Sequence, residues 1–66
     1  VNKNIEKAIS ICGSQENLAK ACGVTQMAIS KWLYGGGINA KYISLISKAT
    51  GGQVTESELL KSLSED

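Results

Sequence analysis

Sixty-six residues, 42% of them hydrophobic, allow one domain built on one core. A chain this short buries only about 60% of the surface its unfolded form exposes, which leaves little room for an internal catalytic pocket. Its apolar content argues against disorder, and its net charge of +1 is unevenly placed. Lys3, Lys7, Lys20, Lys31, Lys41 and Lys48 face only Glu6 and Glu16 in the first fifty residues, whereas Glu56, Glu58, Glu65 and Asp66 outnumber Lys61 in the rest. A basic body with an acidic tail is polarised, and the body is the part suited to an anionic partner.

With no histidine and two cysteines, neither a zinc site nor a disulfide scaffold is expected. Cys12 and Cys22 read as small buried hydrophobes, with a disulfide or redox role as the alternative. No apolar run approaches the roughly 20 residues that span a bilayer, and no signal-peptide pattern precedes Val1-Asn2-Lys3-Asn4. The expectation is a soluble cytoplasmic protein with no membrane, cofactor, metal or small-molecule ligand.

In chain order, Ile5, Ala8, Ile9 and Cys12 recur at helical spacing, and Gly13 stands where a left-handed cap ends a helix. Ser14 is a candidate N-cap for a second helix, with Gln15 and Glu16 in its first turn and Leu18, Ala19 and Cys22 on its inner face. Gly23 ends it. Thr25 caps a third helix, whose stripe of Ala28, Ile29, Trp32 and Leu33 buries one side, and Gly35-Gly36-Gly37 breaks it. Asn39 caps a fourth helix with Ile43, Leu45, Ile46 and Ala49 inside, closed by Gly51-Gly52. Gln53-Val54 reads as extended. Thr55-Glu56-Ser57-Glu58 is a capping box opening a fifth helix over 56–64, with Leu59, Leu60 and Leu63 on its apolar face. The fold class expected is all-α, a compact domain of five short helices over residues 1–66.

The second and third helices are joined by Cys22-Gly23-Val24-Thr25, a turn of about three residues. Two helices joined that tightly form the unit that places its second helix in a DNA major groove. Ala19 stays small where the helices approach, Gly23 takes the positive φ of the turn, and Val24 and Ile29 fill the wedge. Leu18 and Trp32 anchor the unit to the rest of the core.

The run Gln15-x-x-Leu18-Ala19-x-x-x-Gly23-Val24-Thr25-x-x-x-Ile29-Ser30-x-Trp32 resembles the helix-turn-helix of the phage Cro and CI repressor family. Gly35-Gly36-Gly37-Ile38-Asn39-Ala40-Lys41 and Ile46-x-x-Ala49-Thr50-Gly51-Gly52-x-Val54-Thr55 are similar to the Cro-like, YdaS-type prophage regulators. The resemblance spans about residues 5 to 60. It departs at Asn39, where relatives often carry proline, and asparagine serves as well there as a cap. It implies a lambda-repressor-like domain with its helix-turn-helix over 15–34, acting as a transcriptional repressor on double-stranded operator DNA.

Removing the core stripe from the third helix leaves Thr25, Gln26, Met27, Ser30, Lys31 and Tyr34 as its exposed positions. Gln26, Met27, Ser30 and Lys31 are the candidate base readers. Glutamine can pair with adenine N6 and N7, methionine can pack on a thymine methyl, and lysine can donate to guanine or to a phosphate. Gln15, Thr25, Tyr34, Gly36, Asn39 and Lys41 are candidates for phosphate contact or bracing, Gln15 through the resemblance. Methionine also fills core gaps, and Tyr34 is open between a phosphate contact and a cap on the core edge. Lys3, Lys7 and Lys48 read as solvated.

An enzyme is not expected, because histidine and a close carboxylate pair are both missing and the glycine run lacks the Gly-Lys-Ser/Thr ending of a phosphate loop. The rival reading is an antitoxin-like helical protein-interaction module. On the DNA reading, a homodimer sets two recognition helices about 34 Å apart. The stretch from Gln53 to Leu63 is its expected contact surface, since its leucines exceed what four helices need.

Overall fold

The computed structural model describes residues 1–64, with side chains through residue 61. Its elements are α1 (Lys3–Cys12), α2 (Gln15–Cys22), α3 (Gln26–Leu33), α4 (Ala40–Ala49) and α5 (Glu56–Ser64), with no strand among the described residues. The architecture is all-α, as expected, within 26 × 22 × 20 Å.

The helices begin where short polar side chains satisfy the free N–H groups of a first turn. Ser14 Oγ accepts from Asn17 N at 3.1 Å, Thr25 Oγ1 from Ala28 N at 3.3 Å and Asn39 Oδ1 from Lys41 N at 3.1 Å. Asn2 does the same for α1, accepting from Asn4 N and Ile5 N. The capping box of α5 is closed in both directions: Glu58 N donates to Thr55 Oγ1 at 3.1 Å and Thr55 N to Glu58 Oε1 at 3.2 Å. At the end of α1, Gly13 takes φ 101° with ψ −30°, a positive φ but not the left-handed helical pair expected there. Its N–H still closes on Ile9 O at 2.8 Å, and Asn17 Nδ2 takes the neighbouring Cys12 carbonyl at 2.9 Å.

The core gathers Ile5 and Ala8 from α1, Leu18, Ala19 and Cys22 from α2, Ile29, Trp32 and Leu33 from α3, and Ile43 and Ile46 from α4. Val54 and Leu59 complete it with no exposed surface. Fully burying side chains of this size contributes about 1.5–3 kcal/mol each. Ile9, Cys12, Ala28, Leu45 and Ala49 pack half-buried around the rim.

Three expectations change. Gln53-Val54 is a bend, not an extended segment, because Val54 N donates to the buried Thr50 Oγ1 at 3.1 Å and Thr50 Oγ1 donates to Ser47 O at 2.9 Å. Leu60 is 54% exposed, so of the leucines assigned to the apolar face of α5 only Leu59 is seen in the core; the Leu63 side chain lies outside the described residues. Within residues 53–59, Val54 and Leu59 belong to the core, so these two apolar side chains are used by the fold itself, while Gln53 and Thr55 to Glu58 are exposed.

The start of α1 braces two other helices. Asn2 N donates to Leu33 O at the end of α3 (2.7 Å), and Asn4 Nδ2 donates to Glu58 O in α5 (3.0 Å). Lys7 Nζ reaches Gln53 O at 3.2 Å.

Leu18→Ala, which empties a fully buried position, is expected to cost about 2–5 kcal/mol in urea denaturation. The Glu58 carboxyl is held below the usual glutamate range, first by the Thr55 N–H, then by the Thr55 hydroxyl, with Lys7 adding. A carboxyl lowered in the fold supports the folded form above its unfolded value, and that support is lost as pH falls through the lowered value. The Thr55 amide signal in an NMR titration should therefore move with a midpoint below that of an ordinary glutamate. Glu58→Gln should abolish the movement.

Candidate nucleic-acid interface

The surface is built from the turn between α2 and α3 outward. Gly23 N donates to Lys20 O at 3.3 Å and Val24 N to Ala19 O at 3.0 Å, the paired closure that ends a helix on a left-handed residue. Gly23 supplies that residue at φ 69°, ψ 33°, where an L side chain costs about 1–2 kcal/mol. Val24 then packs half-buried against the core and Thr25 caps α3 at once. Only residues 23–25 separate the two helices. That brevity sets the direction in which α3 leaves α2.

On α3, Ile29, Trp32 and Leu33 face the core while Gln26, Met27, Lys31 and Tyr34 face outward, with Ser30 half-buried beside them. Met27 is 80% exposed, so it fills no core gap, and Tyr34 at 72% does not cap the core edge. Met27, Ser30, Lys31, Tyr34, Gly35 and Gly36 line one shallow open depression. A second depression beside it takes in Thr25, Lys31, Trp32, Asn39 and Tyr42. Lys31 borders both.

Gly35-Gly36 closes α3 with the same paired bonds that close α2, Gly36 N to Lys31 O at 2.8 Å and Gly35 N to Trp32 O at 3.3 Å. Ile38 then plunges into the core and Asn39 starts α4. Trp32 of α3 and Tyr42 of α4 meet through their rings, the centroids 5.5 Å apart at 41°. Lys41 Nζ sits 5.1 Å from the Tyr42 centroid, a cation–π approach that steadies its ammonium over that ring. Lys20 instead pairs with Glu16 across one turn of α2 at 3.5 Å, an exposed pair of small energetic weight.

The structure thus brings Met27, Ser30, Lys31, Tyr34 and Gly36 onto one face, with Thr25 and Asn39 beside it, Lys41 over the neighbouring Tyr42 ring, and Gln26 exposed in the first turn of α3. Gln15 stands half-buried in the first turn of α2, and among the described residues no hydrogen bond joins it to Gln26. Cys12 and Cys22 are free thiols. Burial, helped by the neighbouring Cys12, pushes the Cys22 thiol up, and Cys12 Sγ lies 3.7 Å from Ala49 O as its donor. No cluster of three or more metal-ligating side chains occurs among the described residues, and no helix there is long and apolar enough to cross a membrane.

A family model described as "Bacterial toxin YdaS" matches residues 5–64. The chain belongs to the YdaS family. No curated protein and no solved structure gives a match. The YdaS match takes in both helices of the turn, the glycine run, and the Thr50-Gly51-Gly52 corner that delivers Val54 to the core.

Two residues that hold this surface escape a reading by periodicity. Ile38 is a lone apolar residue in a glycine-rich loop. Asn2 carried the usual N-cap chemistry, which could have found its role at α1, but not its bond to Leu33. If the two faces of α3 are divided as described, Met27→Ala and Tyr34→Ala leave urea stability within about 0.5 kcal/mol of the parent. Trp32→Ala should cost about 3–5 kcal/mol.

Proposed function

We propose that this YdaS-family chain is a sequence-specific double-stranded DNA-binding regulator, a Cro-like prophage repressor that acts by occupying its operator. The observation that carries the reading is the outward face of α3, where Gln26, Met27 and Lys31 are exposed at the end of a three-residue turn whose other side is locked into the core. On this reading α3 enters the major groove. Gln26 pairs with adenine, Met27 packs on a thymine methyl, and Ser30 and Lys31 read the next bases. Gln15, Thr25, Tyr34, Asn39 and Lys41 set register on the phosphates, with Gly36 beside them. The protein has no catalytic role in this scheme.

One helix of this length reads too few base pairs for selectivity, so a homodimer on a palindromic site is part of the proposal. Copies 26 Å in longest extent can set outward-lying α3 helices near the 34 Å spacing of successive major grooves. Among the described residues of α5, Leu60 is exposed and offers an apolar side chain for that contact.

A second reading, a helical module that acts on another protein, draws on the family description as a toxin and on the exposed Met27 and Tyr34. Duplex selection from a random pool, followed by affinity measured against salt, separates the two. The DNA reading predicts one consensus and a linear fall of log affinity with log salt. Weak retention indifferent to salt contradicts it and favours the protein partner. Gln26→Ala should cost about 1–3 kcal/mol on the consensus and relax one base pair, not weaken all duplexes equally.

A further inference from the structure

Gly36 differs from the other glycines of the chain. Its φ is not positive, so backbone conformation does not demand glycine there. What demands it is closeness: a Cβ at this position would lie 2.7 Å from Lys31 Cγ and 2.7 Å from the Lys31 carbonyl oxygen. No other glycine of the chain meets a neighbour that tightly, and at Gly37 a Cβ would meet nothing within 4 Å. The Gly36 N–H also donates to that same carbonyl at 2.8 Å. The lysine stem therefore lies in a seat that exists because residue 36 has no side chain.

Lys31 is the single charged residue of α3 and borders both depressions of the candidate interface. A lysine stem free to sample its rotamers loses that freedom when its ammonium is fixed on a partner, and a seated stem has less to lose. We infer that Gly36 is a positioning residue for Lys31, seating its stem so that the ammonium meets one defined base pair. The inference rests on the DNA reading above. It differs from a role of Gly36 as a backbone contact to phosphate, because such a contact does not depend on what residue 31 carries.

The test has two arms. In the free, full-length protein, NMR should show proximity between the Gly36 Hα protons and the Lys31 γ-methylene. This arm needs no variant, so it decides the seat even if Gly36→Ala fails to fold. On the selected consensus duplex, affinity is then measured for the parent, Gly36→Ala, Lys31→Met, the double variant and the control Gly37→Ala, each under conditions where circular dichroism shows it folded. Gly36→Ala should weaken binding about three- to tenfold and flatten the preference at one base pair, but cost less than about twofold once Lys31 is methionine. Gly37→Ala should leave affinity and preference unchanged.

Equal losses from Gly36→Ala in both backgrounds overturn the inference, in favour of a backbone contact or of a helix end displaced by the Lys31 carbonyl. Missing proximity in the free protein overturns the seat itself while leaving DNA binding standing. Proximity without binding to any duplex overturns the DNA reading and, with it, the role of the seat.

Discussion

The structure depends most on how α2 is stopped. Two backbone hydrogen bonds, Gly23 N to Lys20 O and Val24 N to Ala19 O, turn the chain within three residues. If Gly23 did not hold its left-handed conformation, Thr25 could not sit where it caps α3, and the side of α3 that meets the core would change. Ala19, Ile29 and Trp32 are buried together because that turn aims one helix across the other. A helix of eight residues has little stability of its own, so its position comes from packing and from its ends.

Both ends of α3 are held by hydrogen bonds. Thr25 caps the start of α3, the glycine pair closes its finish, and Asn2 donates to the last carbonyl of the helix, that of Leu33. Trp32 of α3 also meets the Tyr42 ring of α4, and Ile38 of the loop between them is buried in the core. The outward face is left free of structural duty. Met27 and Tyr34 stand exposed on an element that cannot easily shift, the condition under which exposed side chains serve recognition. The same bracing links α5 to the start of α1 through Asn4 and Glu58.

Most of the fold is legible in the sequence because its signals are local. Apolar spacing marks the helices, and Ser14, Thr25, Asn39 and Thr55 each bond the amide or amides that their chemistry suggests. What was not legible depends on contacts distant in sequence. Ile38 has no periodic neighbours, yet a loop folds it inside. Leu59 and Leu60 are adjacent and equally apolar, and only the docking of α5 decides which is buried. Gln53-Val54 bends because the Thr50 hydroxyl bridges Ser47 and Val54, a link that no pattern of hydrophobicity encodes. The outward face of α3 emerges by subtracting the core stripe, but the close approach of Gly36 to Lys31 is visible only in three dimensions.

The central claim is that α3 is the element that meets DNA. Amide chemical-shift mapping of the isotopically labelled chain, titrated with its selected duplex, tests this most directly. The account predicts the largest changes at Gln26, Met27, Ser30 and Lys31, smaller ones at Gln15, Gly36, Asn39 and Lys41, and little along the outer face of α1. Changes centred on α1 or α5, with α3 unmoved at saturation, would contradict it.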